Sequence, residues 1–352
     1  MCKKLIYFSY LLLLFTSCEE YYTPVIDTVG GQLVVEALLT NDASKNFVRL
    51  TKTRSFYDKL PPLAALNAKV ALVGIDGIAI RASESIPGNF TFNSIPMAGK
   101  NYKLRITYNN DTYESEMVMM PPVPTYDNFY TENVEKKIYK TDGDGVPSAH
   151  YIQGREVYID APVSSVLSYY RFETRSISEW VYAPPGLSGP APPPLYGWQS
   201  FFENSKFNIA GPKKFSENEK IEKQPLTLLS YRSSDYLESD SLVSLGWILI
   251  IDQFGTSKGS YEYHEKLNSQ FAADGSLFDP IQTQVYGNIT CITDHSKNVF
   301  GYFDLNSYKQ FRYYLYITGP EYPGTLRQIF RYPNIPYAGE SLGFTPDWWE
   351  RN

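Results

Sequence analysis

The sequence predicts an all-β protein, mainly strands with one or two short helices. It is organised as an N-terminal β-sandwich followed by a larger β-rich domain. Three observations carry this. The 352 residues include 30 Tyr and 20 Phe against five Met, and aromatic residues favour strands. Short runs alternate apolar and polar side chains between turn residues. Only one stretch keeps a helical period. At roughly 150 residues per domain, the length also points to two domains.

The first domain spans 32–120. Leu33–Leu38 is a strand pattern that ends at the turn Asn41-Asp42, and Phe47–Thr51 alternates. Ala68–Val73 runs into Asp76-Gly77, a hairpin signal, and returns through Ile78–Ile80. Gly88-Asn89 precedes Phe90–Phe92. Tyr102–Tyr108 alternates strictly and returns through Asn109–Asp111 into Thr112–Ser115. Closely spaced short strands of this kind indicate a sandwich. The order Ala68–Asp76, Gly88–Phe92, Gly99–Ile106 resembles the carboxypeptidase-regulatory-like or transthyretin-like sandwiches of exported proteins.

Met119-Met120-Pro121-Pro122-Val123-Pro124 marks a boundary, because proline cannot donate to a ladder. The second domain spans 125–352, with strand patterns at Glu156–Asp160, Tyr169–Ile177, Leu226–Tyr231, Leu245–Ile251, Gln284–Cys291, Val299–Asp304 and Arg312–Ile317. The one helix, near 260–271, sets Tyr261, His264, Leu267 and Phe271 on one face. Residues 181–198 read as an extended, proline-rich loop.

At the N-terminus, Lys3-Lys4, an apolar run from Leu5 to Phe15 and small residues at 16–17 have the layout of an export signal, residues 1–17. Eleven residues rise about 16 Å as a helix, too short for a bilayer core of roughly 30 Å. Leu14-Phe15-Thr16-Ser17-Cys18 resembles a bacterial lipobox, which implies acylation of Cys18 by fatty acids such as palmitate, an anchor in outer-membrane lipid, and a tether over 18–31. Glu19 and Glu20 resemble the surface-export signal of Bacteroidota lipoproteins. With Cys18 acylated, Cys291 has no disulfide partner, so core burial must hold the fold. A net charge of −6 argues against nucleic acid as a partner.

Motifs for chemistry are weak. His264-Glu265 begins like a zinc-binding helix motif, but Asn268 stands where the second His belongs. Cys291 and His295 are four apart, yet Cys291 ends an apolar run and reads as a buried hydrophobe. Asp142 and Asp144 hint at a calcium loop that Val146 and Pro147 break. No catalytic set and no cofactor are expected. Two features suggest recognition instead. Trp180, Tyr182, Tyr196 and Trp198 flank or lie within the proline-rich stretch, where rings on a stiff loop lose little entropy on contact; covering the sheet is the competing role. Asp27-Thr28-Val29 and Asp240-Ser241-Leu242 resemble the short O-glycosylation motif of Bacteroidota, at Thr28 and Ser241. Trp247, in Leu245–Ile251, reads as core.

One block is more specific. Tyr261–Gln270, Gly275-Ser276-Leu277-Phe278-Asp279-Pro280, Gly287-Asn288-Ile289 and Val299-Phe300-Gly301-Tyr302-Phe303, with the lipobox and the Leu33–Asn41 strand, resemble the Bacteroidota lipoproteins catalogued as domain of unknown function 4249. The resemblance implies an outer-membrane, surface-exposed lipoprotein beside a TonB-dependent receptor of the SusC type, and it carries over no catalytic residue. The resulting expectation is a non-enzymatic accessory partner of such a β-barrel in nutrient capture or outer-membrane assembly. The rival is a surface lipoprotein that binds glycan directly through exposed Trp and Tyr.

Overall fold

A computed structural model describes residues 30–55, 58–141, 146–182, 195–202, 206–212, 220–230, 242–272, 284–316 and 325–328. The first unit holds β1 (Leu33–Leu39), β2 (Phe47–Lys52), β3 (Leu63–Ala64), β4 (Lys69–Gly74), β5 (Ala79–Arg81), β6 (Ser83–Ile86), β7 (Asn89–Thr91), β8 (Asn101–Tyr108), β9 (Asp111–Ser115) and β10 (Val118–Met119). The second holds β11 (Asn128–Thr141), β12 (Pro147–Ala161), β13 (Tyr169–Tyr182), β14 (Leu195–Phe202), β15 (Asn208–Ala210), β16 (Ile221–Ser230), β17 (Leu242–Thr256) and the helix α1 (Lys258–Phe271). The chain then runs through β18 (Ile289–Cys291), β19 (Val299–Leu305), β20 (Ser307–Tyr316) and β21 (Thr325–Gln328). The described chain is all-β with a single α-helix, as its composition predicts.

Two sheets face each other in the first unit, in the orders β19-β1-β2-β7-β6 and β18-β9-β8-β4-β5, with β3 on β2 and β10 on β8. Alternation builds the core between them. Leu33, Val35, Ala37 and Leu39 of β1 point inward, and so do Tyr102, Leu104, Ile106 and Tyr108 of β8. The β8–β9 turn places both Asn109 and Asn110 at positive φ, 50° and 68°, which a tight hairpin turn requires and Asn tolerates.

The division at 120/125 needs correction. Strand β19 pairs in parallel with β1 over Leu33↔Val299 to Leu39↔Leu305, and β18 pairs with β9. The sandwich therefore contains residues from two distant parts of the described chain. Only Ile289–Cys291 of the expected strand Gln284–Cys291 is extended into a ladder.

The second unit stacks a three-stranded sheet, β11-β12-β16, on a larger one, β14-β13-β17-β20-β21 with β15 on β13. Val157, Ile159, Leu226, Trp247, Leu249, Ile251, Phe311 and Leu315 fill the layer between. Trp247 is core, only 2% exposed. The stretch 181–198 is not a continuous loop. Its ends are strand, with Trp180↔Gly197, Val181↔Tyr196 and Tyr182↔Leu195 in register, while residues 183–194 lie outside the described ones.

The units share one near-continuous strand. β19 belongs to the first sandwich and β20 to the second unit, separated only by the fully buried Asn306, whose N–H donates to Leu39 O at 3.0 Å. Beside it the Asn41 amide acts as an extra ladder rung, donating to Tyr308 O at 3.0 Å and accepting from Tyr308 N at 2.6 Å. Asp252 accepts from Lys45 (2.7 Å), Tyr308 Oη (2.7 Å) and Gln310 (2.6 Å). Three donors offset the cost of drawing a carboxylate out of water.

Candidate functional site

Helix α1 is tied down by polar side chains rather than by an apolar stripe. Ser257 caps its start, accepting from Ser260 N at 3.1 Å. Its buried residues are Ser260 and His264; Phe271, expected on the inner face, is 62% exposed. The Asn268 amide bonds both backbone groups of Phe207 at 2.8 Å, and Tyr263 stacks on Tyr302 with ring centres 4.5 Å apart.

Ser260, His264 and Asp304 meet beneath the helix. Ser260 Oγ donates to Asp304 Oδ1 at 2.5 Å. His264 Nδ1 lies 2.8 Å from the Ser260 carbonyl, which can only accept, so Nδ1 carries the proton. Nε2 is 3.7 Å from Asp304 Oδ2, beyond hydrogen-bond distance. A nucleophilic serine would hand its proton to an imidazole lone pair. Here the hydroxyl already faces a carboxylate, the nearer ring nitrogen is protonated, and Ser260 is wholly buried. This trio clamps the helix onto β19.

Burial holds the His264 pKa below its ordinary value, and the Arg171 guanidinium adds to this, with Asp304 opposing. The neutral ring thus contributes stability above the unfolded-state value of 6.5, and that contribution is lost as pH falls through the lower folded value. Unfolding free energy measured in urea from pH 7 down to about pH 5 should decline, and His264→Gln should flatten that decline.

A cleft of about 600 Å³ opens between the C-terminal half of α1 and β16. Glu265, Asn268 and Ser269 form one wall, Gln224–Leu228 the other, with Lys136 and Glu156 at the rim. Its polar groups are largely spoken for. Glu156 accepts from Lys136 and from Tyr158 Oη, and burial beside that carboxylate pushes the Tyr158 hydroxyl up to about 12. Gln224 donates to Asn208, which donates in turn to Pro225 O. A smaller hollow of about 260 Å³ shares Phe207 and Asn208 and adds Arg171, Glu173 and Phe271. These walls leave an open groove lined by both polar and apolar side chains.

A second feature is apolar. Ile75, Ile78, Met97 and Met119 are 70%, 65%, 61% and 40% exposed. Backbone bonds gather them at one end of the sandwich. Ile75 N donates to Asn101 O, Met119 pairs with Asn101, Lys100 N donates to Met97 O, and Gly74 N donates to Ile78 O. Single exposed apolar residues are ordinary, but a cluster marks a contact surface.

Residues singled out in the sequence distribute unevenly. Cys18, Glu19, Glu20, Thr28, Asp142, Asp144, Ser241 and the block 275–280 lie outside the described residues. The backbones of Trp180, Tyr182, Tyr196 and Trp198 lie on the β13–β14 ribbon, where no two of them are cross-strand partners. Cys291 is buried in the first core and His295 is exposed in the following turn. Among the described residues no His, Cys, Asp and Glu are grouped to hold a metal, and no helix is long and apolar enough to cross a membrane. Asp304, the partner of Ser260, escaped sequence reasoning, because nothing local joins β19 to a helix so far upstream.

A family model described as Domain of unknown function (DUF4249) matches residues 19–312. No curated protein and no solved structure matches the chain.

Proposed function

The chain belongs to the DUF4249 family, and from its own surfaces we propose that it is a non-enzymatic, lipid-anchored outer-membrane protein, a surface-exposed accessory partner of a TonB-dependent β-barrel receptor. The observation that carries this is the exposed cluster Ile75, Ile78, Met97 and Met119, an apolar surface of the kind a protein partner covers. The cleft beside α1 supplies a place for an extended nutrient fragment next to such a receptor. Acylated Cys18, followed by Glu19-Glu20, supplies the anchor and the route to the surface.

Affinity purification from gently solubilised outer membranes should recover a large β-barrel. Ile78→Asp should cut that recovery at least tenfold without moving the unfolding midpoint, because Ile78 is exposed and makes no core contact that folding needs. Recovery of the free chain alone ends the reading. Direct glycan binding is the second reading, favoured by one observation: the backbones of Trp180, Tyr182, Tyr196 and Trp198 all fall on the paired strands β13 and β14. A glycan array tests it, and a blank array removes it.

A further inference from the structure

We infer that the opposite end of the first sandwich is a second membrane contact, at which Leu60, Leu63, Leu66 and Ile86 enter the boundary between headgroups and acyl chains. The inference rests on the proposed acylation of Cys18 for its orientation, and on the structure for the contact itself.

Four exposed aliphatic side chains converge there. Leu60, Leu63, Leu66 and Ile86 are 64%, 49%, 52% and 63% exposed. Strand β3 pairs Leu63 with Lys52 and Ala64 with Thr51 at the end of β2. Ala65, between Leu63 and Leu66, is wholly buried and its N–H donates to Leu50 O, which leaves its neighbours at the surface. The β6–β7 turn closes on the same spot. A Cβ on Gly88 would stand 3.0 Å from the Ala64 methyl, and Ile86 is two residues away.

Side-chain bonds brace the patch. Arg54 donates to Pro61 O at 2.6 Å and pairs with Asp58, whose other oxygen accepts from Leu60 N at 3.0 Å. Pro61 and Pro62 fix their own φ angles. A surface built in this way pays little ordering entropy on contact.

Its position identifies the occupant. The described chain enters the fold at this same end. Gly31 N donates to Thr53 O and Thr53 N to Gln32 O, one residue before Arg54. From Cys18 to Gly30 the backbone reaches about 40 Å even when fully extended, at roughly 3.5 Å per residue. A tether of that reach, joined to the fold at this end, lets the patch meet the bilayer that holds the proposed anchor. A lipid surface is also a partner that needs no matching charge, and two ionic clusters at this end are already paired: Arg54 with Asp58, and Lys297 with Asp111 and Asp294.

The test uses the mature chain with Cys18→Ser, free of acyl groups, and phosphatidylcholine vesicles. The chain should sediment with the vesicles, and about 0.5 M NaCl should leave sedimentation unchanged, since an apolar contact is not screened. Leu60→Ser/Leu63→Ser/Leu66→Ser should lower the partition coefficient at least tenfold with an unaltered unfolding midpoint. An environment-sensitive dye on Leu63→Cys should shift to the blue on vesicle binding, whereas the same dye on Ile78→Cys should not. Equal partition of the parent and the triple variant, or no shift at position 63, overturns the inference. So does a concentration-dependent dimer that the triple variant abolishes without vesicle binding, which would give the patch to a second copy. Mass spectrometry of the natural chain reads the acylation of Cys18 separately, so failure of the anchor and failure of the patch are told apart.

Discussion

Gly301→Ala is expected to destabilise the protein by about 4 kcal/mol and to leave little of it soluble, because two penalties add: a left-handed backbone and a clash with a neighbouring strand. Gly301 sits at φ +86° within β19, and a Cβ there would stand 1.9 Å from Val35 O. The nearest obstacle is backbone in a paired strand, so no rotamer change relieves it. Gly287 packs against the same point, where a Cβ would meet Gly301 O at 1.5 Å. Gly99→Ala is the matched control. Its φ is +76° with nothing within 4 Å, so it carries the conformational cost alone, about 1 kcal/mol. Urea unfolding of the two variants should separate the clash from the strain. Equal midpoints would show that the β1–β19 contact is looser than described.

Asn288→Ala should cost about 3 kcal/mol, since it strands two buried backbone groups at 1–3 kcal/mol each, with some relief from relaxation. The Asn288 amide donates to Phe303 O at 3.0 Å and accepts from Phe303 N at 2.9 Å, and the residue itself is 7% exposed. Its side chain stands where a neighbouring strand would otherwise supply those bonds. Asn288→Asp separates the two roles: its oxygens still accept from Phe303 N–H but repel the carbonyl. Its unfolding midpoint should lie below the parent's, and hydrogen exchange at Phe303 should stay slower than in the alanine variant. Exchange as fast in the aspartate variant as in alanine would assign no value to the retained bond.

These two residues show what in the specific block Gly287-Asn288-Ile289 and Val299–Phe303 is physical. The block reads as a signature in the sequence, and in the structure it welds α1, β18 and β19 together. The longer strands of the first sandwich were legible because they are half-buried, whereas the short β3, β6 and β10 were not. Alternation at Leu33–Leu38 and Tyr102–Tyr108 foretells β1 and β8 nearly residue for residue. Strand β11 was not legible: Asn128–Thr141 carries many charged and polar residues on an exposed face, so period-two contrast fades. The helix was legible in extent and in the burial of His264, but not in the rest of its inner face: Ser260 is buried by its bond to Asp304, and Phe271 is exposed. Nor could the sequence reveal that residues 289–305 complete the first sandwich, since pairing between distant segments leaves no local pattern.

That late arrival of β19 governs timing. Translation releases Leu33 long before Leu305, so β1 has no parallel neighbour until nearly all the described polypeptide has been synthesised. Closing so large a loop costs only slightly more entropy than closing a short one, yet it slows the search for the native pairing. Throughout that interval an unpaired strand border stays open to chance association, the state that chaperones shield.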